Sequence, residues 1–173
     1  MPKILPDGPE ERYTIRAVTP NSLEPDLTQG PLALPEGVLA GLDNDIANHT
    51  KSFYVVTAET GGSPELAGRV GVGWQGSVYD EVRVHTGDRP NLAFLEVHEA
   101  YRNRGIGTLL VKKVLDEAKR REHVGVFLGV DVVNTRAQKL YERLDFERVY
   151  ALGTVAIEGR PDQFIMTKDI PAH

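Results

Sequence analysis

The sequence predicts a mixed α/β fold, an α+β arrangement in which a mostly antiparallel sheet carries one parallel strand pair and is flanked by helices. Three observations predict it. Residues 92–98 and 125–130 are apolar runs with few charges, and the segment between them has helical periodicity. Strand, helix, strand in that order implies a parallel pair joined by a right-handed crossover. Phe53–Ala58 and Leu66–Trp74 flank the turn Gly61-Gly62-Ser63-Pro64 and read as a hairpin. Two further runs, 147–157 and 163–168, close the chain around Glu158-Gly159-Arg160-Pro161-Asp162.

Each element has its own warrant. Residues 1–12 are rich in proline and charge and are expected to form a flexible tail, with 13–173 a single domain. Tyr13–Val18 alternates as a strand does, and Thr19-Pro20-Asn21-Ser22 starts a turn. Prolines and Gly30 prevent a long helix between Leu23 and Leu34. Val38, Leu39, Leu42 and Ile46 are spaced for one face of a helix over about 35–49. Gly71 and Gly73, inside the second hairpin strand, suggest a bulge or a close backbone approach. Val78–His85 alternates and reads as a further strand or an insertion, ended by Thr86-Gly87-Asp88-Arg89-Pro90. Ile106, Leu109, Leu110, Val114, Leu115 and Ala118 form the stripe of a helix packed on a sheet. Asn134-Thr135 opens a shorter helix with Ala137, Leu140, Tyr141 and Leu144 at helical spacing; Thr135 and Gln138 match a capping box.

Composition narrows the chemistry. The 173 residues carry a net charge of −5, which argues against a general nucleic-acid binder. The absence of cysteine excludes disulfides, thiolate metal sites and a cysteine nucleophile, and fits a cytoplasmic protein. No run approaches a membrane span, and the N-terminus lacks the apolar region of a signal peptide. The five histidines lack metal-ligand spacing, so no metal site is expected. Between Tyr101 and His123 seven Lys/Arg face three acids, a local charge of +4 within an acidic chain. That patch suits an anionic cofactor, although the helix lysines also read as an ordinary solvated face.

The patch centres on Arg102-Asn103-Arg104-Gly105-Ile106-Gly107-Thr108, between strand and helix. A turn into a helix leaves backbone N–H groups without intrahelical partners, and the helix dipole adds positive potential. Gly105 and Gly107 let a pyrophosphate approach the backbone, and Arg102 and Arg104 add charge at its edges. The P-loop is excluded because Gly107 is followed by Thr108-Leu109, and the dinucleotide fingerprint because Leu110 stands where it needs a third small residue.

Arg-x-x-Gly-x-Gly (Arg102, Gly105, Gly107) after Leu95-Glu96-Val97 resembles the signature of the GNAT superfamily of N-acetyltransferases. Asn134-x-x-Ala137-x-x-Leu140-Tyr141-x-x-Leu144-x-Phe146 resembles that family's later motif. The match covers residues 92–149. It implies a GNAT-like acyl-CoA N-acyltransferase fold whose sheet splays at the parallel pair, and acetyl-CoA or another acyl-CoA as co-substrate. The resemblance puts the pyrophosphate on the backbone of Arg102, Asn103, Arg104, Gly105, Ile106, Gly107 and Thr108, the pantetheine arm along Leu95 and Val97, and Asn134 against the pantetheine. Asn134 also reads as a cap residue.

The implied reaction is direct attack of a primary amine, from a small molecule, a peptide N-terminus or a lysine, on the thioester in a ternary complex. Tyr141 is the expected acid for the leaving thiolate, and the Val97 N–H the oxyanion donor. Family members carry a glutamate at the positions of Phe94 or Gly129, and this chain does not. Glu96, which shares the face of Phe94 by alternation, is the expected base, with a water relay or no dedicated base as the alternatives; Asp131 likewise shares the face of Gly129. The missing glutamates keep a second reading open, a catalytically weak acyl-CoA-binding sensor. The partner is an amine acceptor, with no nucleic acid or membrane, and the protein a monomer or homodimer.

Overall fold

A computed structural model describes residues 12–20, 25–59, 62–153 and 162–171. Residues 1–11 of the expected tail and 154–157 of the expected strand 147–157 lie outside the described residues. Seven strands form one mixed sheet: β1 (Arg12–Ala17), β2 (Lys51–Glu59), β3 (Glu65–Gly73), β4 (Asn91–Val97), β5 (Gly125–Asp131), β6 (Glu147–Leu152) and β7 (Gln163–Asp169). Their order is β1-β2-β3-β4-β5-β7-β6, with β4 and β5 the parallel pair, so the mixed sheet read from the sequence is the one that forms. The helices are α1 (Pro25–Thr28), α2 (Glu36–Leu39), α3 (Leu42–Ala47), α4 (Asp80–Thr86), α5 (Ile106–Arg120) and α6 (Thr135–Arg143). Among the described residues no helix is long and apolar enough to cross a membrane.

The chain divides into two compact units, one of residues 1–72 and 94–113, the other of 73–93 and 114–173. In the first, β1 and β2 pair antiparallel from Arg12 opposite Glu59 to Ala17 opposite Tyr54. Phe53 and Val55 of β2, Leu66 of β3 and Val18 just after β1 meet Leu27, Leu32, Leu34, Leu42 and Ile46 in one buried cluster. Burying each such side chain contributes about 1.5–3 kcal/mol. The helix expected over 35–49 is broken into α2 and α3, because Gly41 takes a left-handed φ of 77° between them. The apolar face survives the break: Leu42 and Ile46 are buried, and Val38 and Leu39 pack against the cluster. Gly71 answers to close approach, since a Cβ there would lie 2.7 Å from the Phe53 ring, whereas Gly73 faces open space.

In the second unit, β5 pairs with β7 from Gly125 opposite Asp169 to Asp131 opposite Gln163, and β6 joins β7 with an irregularity between Arg148 and Tyr150. The parallel ladder has Asn91 opposite Phe127, and the Phe127 N–H donates to the Pro90 carbonyl at 3.0 Å. The stretch 78–85 is mainly the helix α4, not a strand. Its alternation misleads because Val78 and Val84 are 87% and 82% exposed, while the buried residues are Val82 and Thr86, four apart. Asp80 and Glu81 in the first turn and Arg83 and His85 in the last suit the helix dipole. Val82 packs with Phe127, Leu152 and Ile165.

Candidate active site

Strand β4 runs into a 3₁₀ turn, Glu99–Tyr101, capped by His98, whose Nδ1 accepts from the Ala100 N–H at 3.1 Å. Arg102 is extended; Asn103 and Gly105 then take left-handed φ values of 63° and 79°, reversing the chain into α5. Glycine adopts that state at little cost, and asparagine tolerates it better than other side chains. The first intrahelical bond is Leu109 N–H to the Gly105 carbonyl at 3.0 Å. The N–H groups of Ile106, Gly107 and Thr108 therefore have no acceptor within the helix, and Gly105 has no side chain to cap them. The result is an open, dipole-positive helix end flanked by two exposed arginines, the chemistry an anion needs.

The arginines are anchored differently. Arg102 Nε donates to the Val97 carbonyl at 3.4 Å, tying the turn back to the end of β4. Arg104 lies 5.5 Å from the Tyr101 ring centroid and donates to the Tyr13 hydroxyl at 3.4 Å. Tyr101 is buried, meets Tyr13 edge-on and donates its hydroxyl to Glu65 at 2.7 Å. Sequence reasoning missed Tyr101; an aromatic just ahead of Arg-x-Arg-Gly was the available signal.

Upstream, Phe94 breaks the regularity of β4 with a φ of 55°, a conformation that is unfavourable for a bulky side chain. Its ring is 41% exposed and stacks on Phe53 at 6.0 Å. Its carbonyl accepts from Arg69 Nη1 at 2.6 Å, and Arg69 Nη2 also pairs with the Glu96 carboxylate at 2.7 Å. Glu96 remains 45% exposed, while Arg69 is buried. Burial pushes the guanidinium pKa down from its usual value and the adjacent Glu96 charge opposes that shift. Leu95 and Val97 are half-buried. Arg69 was also missed, though a lone charge within Leu66–Val72 demands a partner.

The second unit carries the other expected residues. Asn134 is the N-cap of α6: its Oδ1 accepts from the Ala137 N–H at 3.1 Å. The Thr135–Gln138 capping box does not form, because Asn134 takes the cap position and Gln138 turns inward. Gln138 is buried and donates to the carbonyls of Asp131 and Val132, both at 2.9 Å, bracing the corner ahead of the helix. Tyr141 is buried on α6, with its ring edge-on to Phe146 at 5.7 Å. Burial raises its phenol pKa well above 10, so it stays protonated, a donor rather than a base. Gly129 is bare; a Cβ there would lie 2.7 Å from Gln163 Oε1. Gln163 in turn donates to Asp131 Oδ1 at 2.9 Å. The space a glutamate at 129 would enter is filled by Gln163. Among the described residues no group of three acids or histidines is arranged to hold a metal ion.

The turn, the end of β4 and Arg69 thus belong to one unit, and Asn134 and Tyr141 to the other. The family model described as "Acetyltransferase (GNAT) family" matches residues 22–146. N-alpha-acetyltransferase 30 of Schizosaccharomyces pombe is 35% identical over 86 residues, covering 49% of this chain and 57% of that protein. N-alpha-acetyltransferase 30 of Xenopus laevis is 42% identical over 60 residues, covering 35% of this chain and 22% of that protein. The chain therefore spans from under a quarter to just over half the length of these curated relatives. Among solved structures, Arabidopsis thaliana NAA60 in complex with acetyl-CoA has a TM-score of 0.66 at 24% identity, covering 91% of this chain and 98% of that one. The putative acetyltransferase yncA of Salmonella typhimurium, with its cofactor acetyl-CoA, has a TM-score of 0.65 at 18% identity over 93% and 95% of the two chains. At these identities the likeness is one of fold. The family match is broader in kind: it spans more than two thirds of the sequence and takes in both the glycine turn and helix α6. The chain belongs to the GNAT acetyltransferase family.

Proposed function

We propose that this chain is an N-acetyltransferase that moves an acetyl group from acetyl-CoA to a primary amine by direct attack. The observation that carries the reading is the open end of α5, where Gly105 leaves the N–H groups of Ile106, Gly107 and Thr108 uncapped beside Arg102 and Arg104. In this reading they hold the pyrophosphate, with Asn103 shaping the turn. The pantetheine arm lies along Leu95 and Val97, and the amide of Asn134, whose Oδ1 is engaged in capping, donates its N–H to it. Family neighbours crystallised with acetyl-CoA support the choice of donor.

The chemistry then divides among four groups. Glu96, half-exposed and charged beside Arg69, takes the proton of the acceptor ammonium. The free amine attacks the thioester carbonyl, whose oxyanion is met by the Val97 N–H. As the C–S bond breaks, Tyr141 gives its proton to the CoA thiolate, and the extra proton left on the nitrogen passes through solvent to the Tyr141 phenolate, giving the neutral amide and restoring the phenol. Names of relatives as N-alpha-acetyltransferases favour a peptide N-terminus as the acceptor. A second reading, a CoA-binding sensor with little turnover, is favoured by Phe94 and Gly129, where no acid stands.

Thiol release from acetyl-CoA across a panel of peptides, polyamines and lysine derivatives tests both. Turnover with peptide N-termini is expected. Tight acetyl-CoA binding with no thiol release from any amine would select the sensor, and no CoA binding at all would sink both readings.

A further inference from the structure

Arg69 sits in a strand whose neighbours are Leu66, Ala67, Gly68, Val70, Gly71 and Val72, and its side chain is 5% exposed. A guanidinium taken out of water is tolerated only if its N–H groups meet acceptors. Nε donates to the Leu32 carbonyl at 2.6 Å, Nη1 to the Phe94 carbonyl at 2.6 Å, and Nη2 to Glu96 at 2.7 Å and the Ala33 carbonyl at 3.5 Å. Two of these acceptors flank Leu95 on β4. They are the carbonyl of the residue with left-handed φ and the carboxylate two residues on.

We propose that Arg69 is a positioning residue of the transfer site, holding the left-handed turn at Phe94 and the Glu96 carboxylate in one arrangement. The inference rests on the transferase reading, because Glu96 is there the proton acceptor. The physical argument is one of register. Phe94 pays conformational energy for its φ, and a charge-assisted hydrogen bond to its carbonyl offsets it. If β4 relaxed to regular alternation at Phe94, the residues after it would turn to opposite faces. Leu95, Glu96 and Val97 would then exchange the side they present to donor and acceptor. The planar fork of arginine serves the Phe94 carbonyl, Glu96 and Leu32 together; a lysine ammonium cannot reproduce that geometry.

The test is a double-mutant cycle on the purified full chain, with kcat and the KM values for acetyl-CoA and a peptide amine. Arg69→Lys is expected to lower kcat by about tenfold or more, with the acetyl-CoA KM within about threefold of wild type. Glu96→Gln is expected to give a similar loss, and the double variant no more than about threefold below the worse single. Multiplying losses would overturn the inference, as would an Arg69→Lys enzyme with unchanged kcat. Should Arg69→Lys fail to fold, Glu96→Gln decides: it keeps an oxygen acceptor for Arg69 Nη2, and unchanged kcat overturns the proposal. A wild-type chain inactive on every amine overturns the transferase reading and this inference together, whereas wild-type turnover with independent losses overturns only this inference.

Discussion

Two strand-to-helix corners of this molecule meet the same problem in opposite ways. Both must deal with N–H groups that no turn of helix precedes. At the corner into α6, Asn134 caps Ala137 and Gln138 closes the preceding carbonyls of Asp131 and Val132. Asn134 takes the N–H groups of both Ala137 and Gln138, the first on its Oδ1 and the second on its carbonyl, which leaves its amide N–H for a ligand. At the corner into α5, the cap position is Gly105, which has no side chain, and the neighbouring side chains are arginines anchored sideways on Val97, Tyr101 and Tyr13. One corner is largely completed by its own side chains; the other leaves its N–H groups open, and in the proposed function an anion finishes it. The difference separates a residue that caps a helix from a turn that leaves a helix end open.

The sharpest way to break the comparison is Gly107→Val. Gly107 lies in the first turn of α5, so valine is compatible with the backbone, and a helical side chain leans toward the N-terminus, where it is expected to crowd the open N–H groups. Acetyl-CoA affinity measured by calorimetry is expected to fall by about 100-fold or more, equivalent to about 2.7 kcal/mol. Binding within a few-fold of wild type would discard the turn as the phosphate site. Next comes Tyr141→Phe, which removes the hydroxyl from the corner's helix and keeps the ring on Phe146. Turnover should drop about 100-fold with acetyl-CoA affinity nearly unchanged; an unaltered kcat removes Tyr141 as the acid.

A smaller effect sharpens the capped corner itself. Asn134→Ala is expected to cost about 1 kcal/mol in chemical denaturation, whereas Asn134→Asp keeps the capping oxygen and the stability. Asn134→Asp loses the amide donor, so its acetyl-CoA affinity should fall a few-fold; equal stability losses in both variants would deny the cap. An effect of similar size, confined to acid, lies at the far end of α5, where Glu117 accepts from Arg120 and, at 2.9 Å, from Arg121. Those arginines hold its carboxyl pKa at about 2, against the opposing effect of burial. A folded-state pKa below the unfolded one gives stability that is present above about pH 4.5 and is lost as the pH falls toward 2. Glu117→Gln should therefore flatten the stability profile across that window by about 1 kcal/mol, screened by salt. An unchanged acid limb would mean the pair contributes nothing.

What the sequence made legible, and what it hid, follows from how local each signal is. The strand–helix–strand core was readable because apolar periodicity is written into consecutive residues: α5 buries Ile106, Leu110, Val114 and Ala118 of its expected stripe and Val111 besides, with Leu109 and Leu115 half-buried. The glycine turn was readable for the same reason. The stretch 78–85 misled because its valines alternate although two of them face solvent. The capping box misled because Asn134 and Thr135 compete for one position, and the better cap lies one residue earlier. Arg69 and Tyr101 were hidden because their partners are remote: Glu96 is 27 residues from Arg69, and Glu65 is 36 from Tyr101. A charge in an apolar run announces that a partner exists without saying which.

The burial of Tyr141 has a consequence for selectivity. A phenol that remains protonated far into alkaline conditions gives the rate no alkaline limb of its own. With Tyr141 as the donor, the rise of turnover with pH reports the acceptor instead, through the fraction of it that is uncharged. An α-amine with a pKa near ~7.8 is about a third free at pH 7.5, whereas a lysine near ~10.4 is free only about one part in a thousand. A site with no preference of shape would still acetylate chain ends faster than side chains, and would lose that discrimination as the pH approached the lysine pKa.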